Sequence, residues 1–173
     1  ALYFPKSSWG YYTIKIYSAA LIKRVVLSDF RDFCYYMFMS IINNSSLELR
    51  QMIADYMENG FLENIIDMFK HDRTLYPLIG ELMTDERVRV RLGMSALMET
   101  LKEEDPENIY SALPNILLLL KHNEPVIRGD AAYLLGIMGH EDSVPLLEEI
   151  ADNDTNKEVR LIAKEAVEDI KNR

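Results

Sequence analysis

The chain has 173 residues, of which 49% are hydrophobic, and its formal net charge at pH 7 is −9. This length and composition are enough to bury one continuous core. Glycine and proline, at 7 and 6 residues, are too scarce for the many turns of a β-sandwich or barrel, so we expect an all-α fold. An acidic chain repels phosphate backbones, and nucleic-acid binding is therefore disfavoured.

The chain carries one cysteine, Cys34, which cannot form an internal disulfide. A reducing compartment is the simplest interpretation, and we expect a cytoplasmic protein. No apolar run reaches the ~18 residues that a membrane-spanning helix needs, so no membrane span is predicted. The first residues lack the basic and apolar stretches of a signal peptide.

Residues 1–43 differ from the rest of the chain in aromatic content and in charge. They hold 11 of the 17 aromatic residues and have a charge balance of +3, from five Lys or Arg and two Asp. We interpret them as a divergent first repeat or as an aromatic cap that covers the open end of a repeat array. The alternation of Tyr12, Ile14 and Ile16 leaves a strand over residues 11–17 as an alternative.

The aromatic residues of this segment also have a functional interpretation. Tyr and Trp are enriched at interface hot spots, so Trp9, Tyr35 and Tyr36 are candidate contacts with a partner protein. An exposed aromatic patch would also favour self-association of the chain.

One short phrase recurs along the rest of the chain. An aliphatic residue is followed by Arg and then by small or aliphatic residues, at intervals of 41, 37 and 32 residues. The recurrent arginines are Arg50, Arg91, Arg128 and Arg160. Repetition at this period predicts stacked helical hairpins, in which each repeat packs only against its neighbours.

Each phrase follows a turn and starts a first helix, and the apolar segment after it predicts a second helix. Pro125 suits a helix start, because the first amides of a helix have no intrahelical partner. In the helix that follows, Ile127, Ala131, Leu134 and Leu135 share one face. Second helices are predicted at 62–70, 107–121 and 143–151. An extra helical piece at 74–83 accounts for the longest interval.

The pattern predicts a single α-solenoid domain over residues 1–173. After the N-terminal segment 1–43, the repeats occupy residues 44–84, 85–122 and 123–153. Residues 154–173 form a capping helix, whose charged outer face suits contact with water.

The phrase Asp/Asn-x-x-Val-Arg, followed by Ala-rich and Leu-Gly positions, resembles HEAT repeats of the short phycobilisome-lyase-like type. Residues 123–140 are the most similar segment, and residues 85–101 and 154–170 are also similar. The resemblance implies a right-handed α-α superhelix of four to five helical hairpins. It also implies that each recurrent Arg reaches a carboxylate or carbonyl in the adjoining repeat and holds the turns in register.

The polar residues show no catalytic constellation. The three histidines lie at helix ends or in turns, where capping is the expected role, and none has the spacing of zinc ligands. The carboxylate clusters at 103–105 and 141–142 lack the alternation of a calcium-binding loop. Arg87 and Arg89 lie outside the recurrent position and are predicted to form an exposed basic edge. We therefore expect no enzyme, no cofactor and no metal site.

The leading hypothesis is a non-enzymatic scaffold or adaptor that binds a protein on the concave face of the array. The second helices line that face, and their acidic residues favour a partner with a basic segment. The predicted contact residues on these helices are Asn64, Asp67, Asn115, Glu148 and Glu149.

Two alternative functions stay open at this point. A lyase-like protein, or one that binds a small ligand or chromophore, would need a pocket near the aromatic segment, lined by Trp9, Cys34, Tyr35 and Tyr36. A helical-repeat protein that binds nucleic acid would have to use residues 1–31, because only they are basic enough.

Overall fold

The structure, a computed structural model, describes residues 46–172. The described residues belong to one compact unit, Ser46–Arg173. They form helices and turns without a strand, which confirms the all-α prediction for this unit. The aromatic cap, the divergent first repeat and the strand at 11–17 lie outside the described residues. The single-domain organisation and the right-handed superhelix stay predictions.

The described unit alternates first helices with second-helix segments. The helices are α1 (46–58), α2 (Leu62–His71), α3 (Leu78–Leu82), α4 (Val88–Glu104), α5 (Leu113–Leu119), α6 (Pro125–Met138), α7 (Val144–Asn153) and α8 (Lys157–Lys171). The first helices are α1, α4, α6 and α8, and each carries one of the recurrent arginines. The second-helix segments are α2 with α3, then α5, then α7.

A short 3-10 helix accompanies each second-helix segment. Arg73–Leu75 separates α2 from α3, Ile109–Ala112 precedes α5, and Glu141–Ser143 precedes α7. The helix that was predicted over 107–121 therefore begins as a regular α-helix only at Leu113. Pro114 explains this start, because proline lacks an amide hydrogen and is tolerated only in the first turn of a helix.

The repeats bury a continuous apolar core that extends from α1 to α8. The first helices pack side by side, α4 against α6 and α6 against α8, while α3 packs against α5. On α6 the predicted inward residues Ile127, Ala131, Leu134 and Leu135 are at most 3% exposed. The hydrophobic periodicity of the sequence thus places the inner face of this first helix correctly.

The turns before α4, α6 and α8 share one geometry, centred on the residue six positions before the recurrent arginine. Asp85, His122 and Asp154 occupy this position. The side chain of each accepts a hydrogen bond from the amide two residues later, at 3.0, 3.1 and 2.8 Å. That amide belongs to the N-cap residue of the helix that follows. Such bonds from side chain to backbone stabilise a turn in competition with continued helix.

The recurrent arginine closes this turn from the first turn of its own helix. The Nη1 atoms of Arg91, Arg128 and Arg160 donate to the carbonyl oxygen six residues earlier, at 2.9, 2.8 and 2.7 Å. Arg128 also donates to the carbonyl of Asn123 at 3.0 Å. These carbonyls lie beyond the end of a second helix, where no intrahelical amide reaches them. In each of three successive turns, one guanidinium therefore supplies the hydrogen bond that the turn carbonyl lacks.

A carboxylate further along the chain completes what we call the arginine bridge: recurrent arginine, turn carbonyl and carboxylate. Arg128 forms a bidentate pair with Asp154, at 2.6 Å from Nε and 2.8 Å from Nη2. Arg91 has no equivalent partner, because His122 occupies the position of Asp154. It pairs instead with Asp130 on α6, at 3.1 Å. The carbonyl part of the bridge is constant and the carboxylate part varies.

The Arg128–Asp154 bridge is more buried than the Arg91–Asp130 bridge. Its side chains are 12% and 4% exposed, compared with 15% and 34%. Hydrogen bonds from Arg128 hold the pKa of Asp154 below its ordinary value. Burial raises the pKa of Asp130 despite the nearby charge of Arg91. Only the first of these carboxylates is therefore held firmly in its charged form by its arginine.

The contacts of α1 with α3 and with the start of α4 use different pairs. Arg50 lies 4.0 Å from Glu81 on α3, and both side chains are partly exposed. Arg87 binds Asp55 on α1 at 2.7 Å and Asp85 through two nitrogens, each at 2.9 Å. The predicted exposed basic edge is therefore wrong for Arg87, because carboxylates on both sides hold its guanidinium. Arg89, the other residue of the predicted edge, is exposed, as predicted.

Replacing Asp154 by Asn keeps the side-chain shape but removes the charge that Arg128 binds. Because a buried pair that loses one partner leaves the other charge uncompensated, we expect the free energy of unfolding at pH 7 to fall by about 2–4 kcal/mol in urea denaturation. Glu168→Gln is the matched control. Glu168 lies 4.0 Å from Lys164 in a mostly exposed pair, and its loss should cost under about 0.5 kcal/mol.

The wild-type protein and Asp154→Asn also test the pH dependence of the bridge. The pKa of Asp154 is lower in the folded state, so the bridge contributes fully above the unfolded pKa of about 3.9 and is lost as the pH falls through the folded pKa. The stability difference between the wild-type protein and Asp154→Asn should therefore shrink below that pH. A difference that grows on acidification would contradict the assignment.

Two glycines allow close helix contacts of different kinds. A Cβ at Gly80 would lie 2.7 Å from the Cβ and 3.0 Å from the carbonyl carbon of Asn115 on α5. A Cβ at Gly93 would lie 2.7 Å from the Sδ of Met57. The first contact involves atoms that cannot move without α5, whereas the second involves the flexible part of a side chain.

Gly80→Ala and Gly93→Ala should therefore have unequal effects on stability. We expect Gly80→Ala to destabilise by about 1–3 kcal/mol, because α3 and α5 must separate. Gly93→Ala should lie within about 1 kcal/mol of the wild-type protein, because the gain in helix propensity offsets the movement of Met57. Equal losses in chemical denaturation would refute this account of the α3–α5 contact.

Candidate partner-binding surface

The predicted contact residues on the second helices are distributed over three elements. Asn64 and Asp67 are exposed on α2, Asn115 is half-buried on α5, and Glu148 and Glu149 are exposed on α7. The predicted aromatic contacts Trp9, Tyr35 and Tyr36 lie outside the described residues. That any of these residues binds a partner stays a prediction.

The second helix of the repeat 44–84 is broken into α2 and α3, and this separates two of the predicted residues from the others. α5 packs against α3, whereas α2 packs against α4. On α2, Lys70 accordingly donates to Glu104 at the end of α4, at 2.5 Å. Asn64 and Asp67 thus lie on a different element from the one that adjoins Asn115. The break begins at Asp72, whose carboxylate accepts a hydrogen bond from the amide two residues later at 3.0 Å.

Asn115 has a structural role in the contact between α3 and α5. Its side-chain amide donates to the carbonyl of Pro77, the N-cap residue of α3, at 2.8 Å. Its backbone lies against Gly80. Because Asn115 forms this contact, only part of its side chain is available to a partner.

A groove of about 300 Å³ opens beside this contact, between α3 and α5. Leu118 lies on its wall and is 70% exposed, the largest exposure of any large apolar side chain among residues 46–172. Arg50 and Glu81 lie at the same groove. An exposed leucine beside a polar rim is the kind of anchor that a partner buries.

Sequence reasoning missed Leu118, although a signal was present. Residues 117–120 are four consecutive leucines. Successive residues of an α-helix are about 100° apart, so four in a row cannot all face the core. One leucine of this run therefore had to face outward.

On α7 the two predicted glutamates are in different surroundings. Glu148 accepts a hydrogen bond from Lys171 on α8 at 2.6 Å. Glu149 lies at the edge of a shallow depression of about 400 Å³, which also includes His122 and Arg128. Lys171 offsets the charge of Glu148, so Glu149 is the more available of the two for an incoming cation.

The surface of the described unit is acidic because carboxylates outnumber cations two to one, and most of the cations are already engaged in hydrogen bonds or ion pairs. Residues 46–172 contain 26 Asp or Glu and 13 Lys or Arg. Ten of these cations form a hydrogen bond or ion pair within the unit, mostly between helices or with turn carbonyls. Glu63, Asp67, Glu149 and Asp152 remain exposed on the second helices. This charge distribution favours a cationic partner.

The histidines act at helix ends and in turns, as their positions predicted. His71 lies 2.7 Å from the carbonyl of Asp67 at the end of α2, while His122 and His140 accept amide hydrogen bonds at 3.1 and 3.3 Å. The described part of the chain holds no group of three or more potential metal ligands. No helix within residues 46–172 has the length and apolar character needed to cross a membrane.

Comparison with known proteins adds one finding. A family model described as HEAT repeats matches residues 75–168. The match runs from the turn before α3 to the last part of α8 and includes Arg91, Arg128 and Arg160. It does not distinguish the phycobilisome-lyase-like subtype, which stays a prediction. No curated protein and no solved structure matches the chain.

The structural role of Asn115 can be tested against Asn64, which is exposed and carries the same side chain. Asn115→Ala removes the hydrogen bond to Pro77 from a half-buried contact and should lower the free energy of unfolding by about 1 kcal/mol. Asn64→Ala should change it by less than about 0.5 kcal/mol. Equal changes in thermal denaturation would show that the bond between Asn115 and Pro77 does not stabilise the fold.

Proposed function

The chain belongs to the HEAT-repeat family, and we propose that it is a non-enzymatic protein-binding module whose second-helix segments contact a basic segment of the partner. Arrays of this kind commonly serve as extended binding surfaces for other proteins. The observation that carries the proposal is the acidic surface of the second helices, on which Glu63, Asp67, Glu149 and Asp152 are exposed.

Leu118 and the groove between α3 and α5 supply the apolar part of the proposed site. A basic segment alone would bind weakly and with little specificity, because exposed ion pairs contribute little free energy. An apolar partner side chain buried against Leu118 would add the hydrophobic contribution that anchors interfaces. Acidic side chains such as Asp67, Glu149 and Asp152 would then orient the cationic residues.

The proposal includes the finer features expected of the family. The repeats would wind into a right-handed superhelix, with the second-helix segments on its concave side. Binding would take place in the cytoplasm. The lyase-like alternative requires Trp9, Tyr35 and Tyr36, and no described residue favours it. Nucleic-acid binding is opposed by the acid excess of residues 46–172.

The test compares two triple charge reversals in capture from source lysate, followed by titration of the purified partner. The site variant is Asp67→Lys, Glu149→Lys, Asp152→Lys. The control, Glu107→Lys, Glu141→Lys, Glu168→Lys, makes the same change in net charge at exposed positions outside α2, α3, α5 and α7. We expect the site variant to bind the partner at least about fivefold more weakly and the control to bind normally.

A second pair of variants tests the apolar anchor. Leu118→Ala should weaken binding of the same partner, whereas Leu161→Ala, which removes a 50% exposed leucine from α8, should not. A partner whose affinity is unchanged by both the triple reversal and Leu118→Ala would refute the proposed site.

A further inference from the structure

The exposed apolar side chains are concentrated on the opposite set of helices from the proposed site. Seven of the nine large apolar side chains exposed within residues 46–172 lie on the first helices: Leu47, Tyr56, Val88, Leu92, Val126, Tyr133 and Leu161. Scattered exposed apolar residues are ordinary on a protein surface. On α6, however, two of them border a continuous groove.

This groove lies between α6 and α8 and consists of two adjoining pockets of about 280 and 210 Å³. Ile162 of α8 lines both pockets. Val126 and Gly129 line the first, and Tyr133 and Gly136 line the second. Both glycines lie close to α8, since a Cβ at Gly129 would come within 3.3 Å of the Ile162 Cδ1 and one at Gly136 within 3.0 Å of the Ala166 Cβ.

The charges along this α6–α8 groove are all of one sign. Asp130 and Glu158 line the first pocket, and Glu165 and Asp169 line the second, whereas no Lys or Arg lines either. Asp130 is paired with Arg91, but Glu158, Glu165 and Asp169 are exposed. An apolar floor with an acidic rim is complementary to a segment that has large apolar side chains flanked by Lys or Arg.

The geometry of the groove favours a helical occupant. Gly129 and Gly136 are seven residues apart on α6, which separates the two pockets by about 10 Å at 1.5 Å per residue. Apolar residues seven apart on a partner helix have the same separation and lie on one face. The Tyr133 hydroxyl donates to Glu99 on α4 at 2.5 Å, so the aromatic wall of the second pocket is held in place before binding.

We propose that the α6–α8 groove is a second docking surface, which binds an amphipathic helix of another protein through two apolar side chains seven residues apart, flanked by Lys or Arg. This surface is separate from the one on the second helices, and it does not require that the second-helix site exist. The two pockets are small, so we expect weak binding.

The probe is a fluorescent 16-residue helical peptide with two leucines seven residues apart and lysines on the flanking positions. Three further peptides carry alanine for both leucines, glutamate for the lysines, or a proline at the centre. We expect only the parent peptide to bind. Equal binding of the alanine peptide would reduce the interaction to unspecific charge attraction, and equal binding of the proline peptide would exclude a helical occupant. Either result overturns the proposal.

The protein variant that tests the groove is Glu165→Lys with Asp169→Lys. It should weaken binding of the parent peptide at least tenfold, while the control Glu107→Lys with Glu168→Lys changes it less than twofold. Thermal melting by circular dichroism establishes that both fold, and Glu165→Gln with Asp169→Asn replaces the reversal if it does not fold. Binding unaffected by the groove substitutions refutes the proposal.

Two further measurements distinguish binding in the α6–α8 groove from binding elsewhere on the protein. The methyl resonance of Ile162, assigned with Ile162→Val, should shift on titration with the parent peptide, and an unshifted resonance places the peptide elsewhere. The triple reversal of Asp67, Glu149 and Asp152 should leave peptide binding intact, so the groove and the second-helix site can fail independently. If Glu165→Lys with Asp169→Lys instead dissociates a dimer of the protein, the occupant is a second copy and the proposal is wrong.

Discussion

The arginine bridge is the interaction on which the described array depends. A chain that repeatedly ends one helix and begins the next leaves carbonyl groups without intrahelical partners at every turn. Arg91, Arg128 and Arg160 satisfy these groups from a fixed position in the helix that follows. The guanidinium groups of Arg91 and Arg128 also bind a carboxylate further along the chain, so in these two repeats the same side chain closes the turn and contacts the next repeat. The apolar core then packs between helices whose ends are already defined.

Much of this arrangement could be predicted from the sequence, because it depends on spacing. The period of the Val/Ile-Arg phrase identifies the first helices, and the apolar periodicity identifies the inner face of α6. The carboxylate partners were not predictable in the same way. Asp154 pairs with Arg128. One repeat earlier the equivalent position is His122, which is not a carboxylate, and Arg91 pairs with Asp130 instead. Which carboxylate completes a bridge depends on side-chain reach in three dimensions.

The candidate surfaces were only partly predictable, for a related reason. An exposed polar residue on a second helix can be recognised from periodicity, and Asp67 and Glu149 are exposed. Asn115 was predicted to contact a partner because it is a polar residue on a second helix. It packs instead between α3 and α5, because Gly80 lets the two helices approach. The α6–α8 groove required knowledge of which helices are neighbours. The sequence shows glycines at positions 129 and 136, but it does not show that they pack against Ile162 and Ala166 of α8.

The two sides of the unit also differ in the kind of contact that they offer. The second helices expose carboxylates with one large leucine, whereas the first helices expose most of the large apolar side chains. The acidity of the second helices follows from composition, because residues 46–172 contain 26 Asp or Glu and 13 Lys or Arg.

The location of the bridge partners determines which repeat could be copied during the growth of such an array. Arg128 and Asp154 both lie within residues 123–154, so a tandem duplication of that segment would carry the Arg128–Asp154 ion pair into the new repeat. A duplication of residues 86–122 would not, because the partner of Arg91 belongs to the next repeat and the matching position in the copy would be Gly93. The segment 123–154 thus contains its own arginine–carboxylate pair, whereas Arg91 depends on a carboxylate of the repeat that follows.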